Sequence, residues 1–156
     1  MTETRRLTGR LHVGLPPAEA FRLFTPRGEQ DWAHGWQPHF PAPAPDDTEP
    51  GTVFETSAHG QHTIWTVTER ERGCRIAYTR VTPGHQAGTV TVRLTAAGDT
   101  AAGDTAAGDA SEVEVTYLLT ALSDAAGPHL AAFADGYDDY LRSWQDAIVA
   151  LLATRG

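Results

Sequence analysis

The last fifth of the chain limits the fold more than any other stretch. From Gly127 to about Leu152, the residues Leu130, Phe133, Tyr137, Tyr140, Leu141, Trp144, Ile148 and Leu151 recur three and four apart. That spacing lays one apolar stripe along a single long amphipathic helix. Gly127-Pro128 opens it, proline being tolerated in a first helical turn. At about 1.5 Å per residue the helix is roughly 37 Å long, more than an average strand, so it must lie across a sheet and wrap into its curvature. Gly136 falls inside it; a helix-interior glycine costs about 1 kcal/mol against alanine and marks a close approach or a kink, for which room for a ligand is one reason.

The sheet is legible upstream. Leu7, Leu11, Val13 and Leu15 take alternate positions with Thr8, Arg10 and His12 between them, the period of a half-buried strand. Pro16-Pro17 ends that ladder and opens a short helix carrying Phe21 and Phe24, after which Thr25-Pro26 reads as an N-cap and first turn of a second short helix reaching about Ala33. Glu29 and Asp31 then read as charges favoured near a helix start. Five more strand-like runs follow, at about Thr52 to Ala58, Gln61 to Glu69, Cys74 to Thr82, Gly88 to Leu94 and Glu112 to Leu122, with Gly60, Arg72-Gly73 and Pro83-Gly84 as turns. Short connections make neighbours antiparallel. The predicted class is therefore α+β: a curved six-stranded antiparallel sheet around a long C-terminal helix, with two short helices after strand one.

Two segments stand outside this pattern. Residues 37–50 hold Pro38, Pro41, Pro43, Pro45 and Pro50 with Asp46, Asp47 and Glu49, which suits neither a helix interior nor a central strand. Residues 95–110 contain Thr-Ala-Ala-Gly-Asp three times, a low-complexity repeat too small in side chains to bury anything and best read as a lengthened hairpin loop. Its Asp99, Asp104 and Asp109 match no calcium-loop spacing.

Composition narrows the function. The 156 residues are 40% hydrophobic, enough for one domain spanning residues 1–156. A net charge of -8 repels the phosphate backbone that dominates nucleic-acid affinity. No apolar run approaches the roughly 20 residues that cross a bilayer, and Met1 to Arg6 do not resemble a signal peptide, so a soluble cytoplasmic protein without membrane insertion is expected. The chain has no lysine, which removes Schiff-base and P-loop chemistry. Heavy Ala, Gly and Arg usage points to a GC-rich bacterial genome. The single cysteine, Cys74, reads as a buried structural thiol in a strand.

The element order, with Phe24-Thr25-Pro26-Arg27-Gly28-Glu29-Gln30-Asp31-Trp32, then Gly35-Trp36-Gln37-Pro38, Gly51-Thr52-Val53-Phe54, Trp65-Thr66-Val67, Tyr78-Thr79-Arg80-Val81 and Tyr117 before Ala121-Leu122-Ser123, resembles the SRPBCC (START-like, helix-grip) superfamily over nearly the whole chain. The likeness leans to its polyketide cyclase and heat-shock ATPase activator homologue branch. It implies a cavity between sheet and helix. Members carry lipids, cyclise polyketides, bind hormones or activate a chaperone ATPase, so the fold leaves the function open.

Within that frame, alternation groups Trp65 with Val67, Ile76 with Tyr78 and Arg80, and Tyr117 with Val113, Val115 and Leu119. If these are concave faces, they look toward Phe133 and Tyr137. The expected ligand-binding set is Trp36, Phe54, Trp65, Tyr78, Arg80, Tyr117, Phe133 and Tyr137, apolar bodies with polar tips suited to an aromatic ligand bearing one or two oxygens. Arg80, if inward, requires a carboxylate or an anionic ligand group. His34, Tyr78 and Arg80 are the candidates for proton transfer or enolate stabilisation. His34 with His39, and His59 with His62, form pairs without a third ligand at diagnostic spacing, so no metal and no cofactor is expected. Asp135, Asp138 and Asp139 read as a solvated helix face. The leading expectation is a binder of a small hydrophobic or aromatic molecule, with a cyclase- or hydratase-type enzyme using the same cavity second and a chaperone-activator-like interaction protein third; a homodimer is compatible with all three.

Overall fold

The computed structural model describes residues 3–58, 60–97 and 109–155. Six strands, β1 Thr4–Val13, β2 Val53–Ala58, β3 Gln61–Glu71, β4 Arg75–Thr82, β5 Gln86–Ala97 and β6 Ala110–Ala121, form one antiparallel sheet in the order β1-β6-β5-β4-β3-β2. Alternation explains which face is inward. Along β6, Val113, Val115, Tyr117 and Leu119 are buried while the residues between them are not, as the period of two requires. A register shift between Val67 and Glu69 interrupts the β3–β4 ladder, a local device for bending a strand.

Two short helical segments follow β1. Helix α1 (Pro17–Ala20) runs directly into a 3₁₀ turn, Phe21–Phe24, whose Phe21, Leu23 and Phe24 are buried. The second expected helix is a single 3₁₀ turn, Gly28–Asp31. Thr25 still caps it, its hydroxyl accepting the Gly28 N–H at 3.0 Å. A Cβ on Gly28 would sit 1.8 Å from the Arg22 carbonyl oxygen, so this crossing of turn on turn requires glycine.

The C-terminal helix is two helices. α2 (Gly127–Asp135) ends at Gly136, and α3 (Tyr137–Arg155) begins immediately after it. Gly136 has φ -99° and ψ 11°, bonding its N–H back to Ala132 O at 3.1 Å, so the glycine marks a kink in the expected continuous helix. Leu130, Tyr137, Leu141 and Ile148 carry the buried stripe, and α3 lies against β1, where a Cβ on Gly9 would meet Leu141 Cδ1 at 2.6 Å. Among the described residues no helix is long and apolar enough to cross a membrane.

The proline-rich segment 37–50 is fastened to the sheet. His39 and Glu55 exchange backbone bonds of 2.8 Å each way, and Arg27 donates to Ala44 O at 2.7 Å while stacking over Phe40. Asp46 is the hub: it accepts from Thr48 Oγ1 at 2.7 Å, Arg70 at 2.7 Å and Arg72 at 2.6 Å. The Thr48 bonds, and then the two arginines, hold its carboxyl below the ordinary 3.8. Because the folded value is depressed, the clamp's contribution is present above pH 3.8 and is lost as pH falls through the folded value. Asp46→Asn should cost about 1–2 kcal/mol near neutral pH, a modest sum because the group is partly exposed. Thermal unfolding against pH checks this: the gap between variant and wild type should close in acid.

Cys74 corrects the sequence reading. It lies in the β3–β4 turn, before β4 begins, and is exposed. The period-two pattern of Ile76 and Tyr78 does not extend back to it, because residues 72–74 are a turn around Gly73 with φ +78°.

Candidate functional site

Between the concave sheet face, the segment 29–36 and α3 lies a cavity of about 550 Å³, in the range of small-molecule sites. All four tryptophans of the chain line it: Trp32, Trp36, Trp65 and Trp144. The aromatic rings support one another. Phe54 stacks on Trp65 with centroids 5.6 Å apart and planes 4° apart, and Tyr78 meets both edge-on. Indole N–H groups are committed to the frame, Trp32 to Leu23 O at 2.8 Å, Trp36 to Pro26 O at 2.7 Å and Trp65 to Thr56 Oγ1 at 2.9 Å. Fixed rings of this kind present rigid apolar area to a ligand at little entropic cost.

Of the residues singled out from sequence, Trp36, Phe54, Trp65, Tyr78, Arg80, Tyr117 and Phe133 line the cavity, as does His34. Tyr137 does not. Its ring is buried beside Tyr117 and Phe133, and its hydroxyl donates to Val115 O at 2.6 Å, so it is a strut between α3 and β6. Tyr78 points its hydroxyl out of the cavity chemistry as well, donating to Phe24 O at 2.9 Å, with burial, first, and the charges of Glu29 and Asp47 pushing its ionisation well above 10.0. His34, Gly35, Ser57, Ala58, Tyr140 and Ser143 are the exposed members of the lining, and they mark the mouth. His39 lies outside the lining, His62 is held by Glu55 at 2.5 Å, and His59 lies outside the described residues. Among the described residues there is no cluster of three metal ligands, and Asp99 and Asp104 are not among them. Asp135, Asp138 and Asp139 are exposed on the outer side of the helices.

Two polar groups in the cavity have no protein partner. The Nε of Arg80 is buried without a hydrogen-bond acceptor, no carboxylate is paired with it, and its guanidinium rests 4.9 Å over the Trp65 ring. Cation–π contact offsets part of the desolvation and leaves the N–H directions unfilled.

Glu29 is the second. Sequence reasoning read it as a helix-start charge paired in kind with Asp31; the 3₁₀ geometry sends the two apart. Asp31 meets Arg155 at 2.9 Å on the surface, whereas Glu29 lines the cavity. Its carboxyl accepts no hydrogen bond from any described residue, and burial raises its ionisation well above 4.5. Tyr117 and Tyr140 share this space. Burial is the main cause that raises Tyr117, which feels Glu29 and Arg80 with opposite sign.

Comparison with known proteins places the fold. No family model matches the chain, and no curated protein matches it. Among solved structures, a protein from Mesorhizobium loti is 18% identical with a TM-score of 0.67, over 97% of this chain and 99% of that one. Norcoclaurine synthase from Thalictrum flavum, solved in complex with dopamine and hydroxybenzaldehyde, is 12% identical with a TM-score of 0.63, over 99% and 90%. A protein of the dynemicin biosynthetic locus is 18% identical with a TM-score of 0.58, over 90% of this chain and 46% of that one. The chain therefore has a helix-grip fold. At these identities the likeness is one of architecture.

Proposed function

We propose that this protein binds a hydrophobic, aromatic small molecule in the cavity between the sheet and the C-terminal helix. The observation that carries the reading is the wall itself: four tryptophans, Phe54 and Phe133 converge on one space of about 550 Å³, with indoles fixed by hydrogen bonds. A dry core of the same residues would close on itself at native packing density. That a fold neighbour was solved with dopamine and hydroxybenzaldehyde agrees with aromatic ligands for this architecture. Phenylnaphthylamine, a neutral dye that fluoresces in apolar surroundings, tests the reading. It should bind saturably with a Kd near the micromolar range, about -8 kcal/mol. Ala147→Trp, which places an indole in the cavity from α3, should weaken binding at least about tenfold. Equal binding by this variant would place the dye elsewhere and sink the proposal.

Glu29 supports a second reading, an enzyme of cyclase or hydratase type in the same cavity. An unpaired carboxyl whose ionisation burial raises, set among aromatic walls, is suited to general acid–base work, whereas His34 stands at the mouth and Tyr78 is committed to Phe24 O. Such a group destabilises the fold. With its folded value raised, stability is lost as pH climbs from 4.5 through that value. Glu29→Gln should therefore raise Tm near neutral pH, and the gain should vanish as pH falls toward 4.5. A variant that is less stable than wild type at neutral pH would show that Glu29 has a structural role.

A further inference from the structure

Arg80 stands two residues before the end of β4, and beyond it, outside the cavity lining, two histidines meet. His85 sits in the β4–β5 turn and His129 in the first turn of α2, and their rings lie 5.5 Å apart, centroid to centroid. The carbonyl of His85 accepts the Leu122 N–H at 2.8 Å, so the turn is anchored to the end of β6, just before the α2 entry. Among the described residues neither imidazole has an ion pair with a carboxylate, and neither lies in the cavity lining. Arg80 is the one arginine in that lining, its Nε buried and unpaired, in a chain whose net charge is -8. A buried guanidinium with an open N–H direction is costly unless an acceptor fills it.

Resting on the proposed small-molecule site, we infer that its ligand is an aromatic anion whose charged oxygens bind Arg80. A carboxylate, sulfonate or phenolate satisfies the open Nε–H and its neighbours on Arg80, while the ring system lies along Trp65 and Phe54. Gln86 and Tyr117 line the same space and supply further donors. Glu29 is the one acid that shares the cavity with Arg80. Burial raises its ionisation above 4.5, which lessens the charge it sets against an anionic ligand.

The test pairs phenylnaphthylamine with anilinonaphthalene sulfonate, the same ring system bearing one sulfonate. Wild type should bind the sulfonate about tenfold more tightly than the neutral dye near pH 7. Arg80→Met should bring the two dyes to parity by losing affinity for the sulfonate, with circular dichroism reporting that the variant is folded. Equal affinity of wild type for the two dyes, or an unaltered preference in Arg80→Met, overturns the anion assignment while leaving aromatic binding in place. Failure of both dyes to bind overturns the cavity reading with it.

Discussion

Gly88→Ala should unfold the protein more readily than any other single methyl addition to the sheet. A Cβ at this position would stand 1.8 Å from the carbonyl oxygen of Leu118 and 2.9 Å from the Leu119 Cα, both backbone atoms of the paired strand β6. No rotamer change relieves a clash with backbone, so β5 must separate from β6 at the point where Gly88 faces Leu119 on one side and Arg80 on the other. The cost should be about 3 kcal/mol or more, and Tm should fall by about 6–12 °C for a domain of this size. Circular dichroism melts check it. A Tm within about 2 °C of wild type would mean that the strands approach less closely than described.

Phe54→Ala is the second large effect, and it joins stability to the site. Phe54 is 1% exposed and contacts four rings, Trp36, Phe40, Trp65 and Tyr78. Removing it leaves a void beside an existing cavity that the rigid indoles cannot close, for an expected loss of about 3–5 kcal/mol. Denaturant titration should show a lower midpoint with little change in slope. Phe54→Leu should lose less than half as much. Because the void opens into the binding space, the alanine variant that remains folded should also bind phenylnaphthylamine more weakly, its stacking wall being gone. A loss under about 1 kcal/mol would show that Phe54 is peripheral.

The sheet and the placement of the terminal helix were legible because each depends on a short-range period. Val113, Val115, Tyr117 and Leu119 alternate without exception, and each is buried. The same alternation sent Trp65, Tyr78, Arg80 and Tyr117 to one face, where they line one cavity. The failures share a cause, which is that local pattern does not encode local angle. Glu29 satisfies the rule for an acidic residue at a helix start, and only the tightness of the 3₁₀ turn decides that it faces inward. Tyr137 has the spacing of a cavity residue, but the break at Gly136 rotates it onto the Val115 carbonyl. Tyr140 and Trp144 entered the reading only as helix-pattern residues and Trp32 only in the segment that carries the family resemblance, since no signal in sequence joins a turn after β1 to the middle of α3. Their common space needed the tertiary contact of Trp32 with Trp144 at 5.3 Å.

The central claim is that an aromatic molecule enters the space between sheet and helix, and the tryptophans offer a direct reporter because all four line that space. The measurement is a titration of the isotope-labelled protein with phenylnaphthylamine, following the four indole N–H signals in proton–nitrogen correlation spectra. The account predicts that the indole signals of Trp36, Trp65 and Trp144 shift together and saturably with one Kd, and that Ala147→Trp abolishes the response. Indole signals that stay in place while the dye binds, or shifts confined to surface amides, would contradict it.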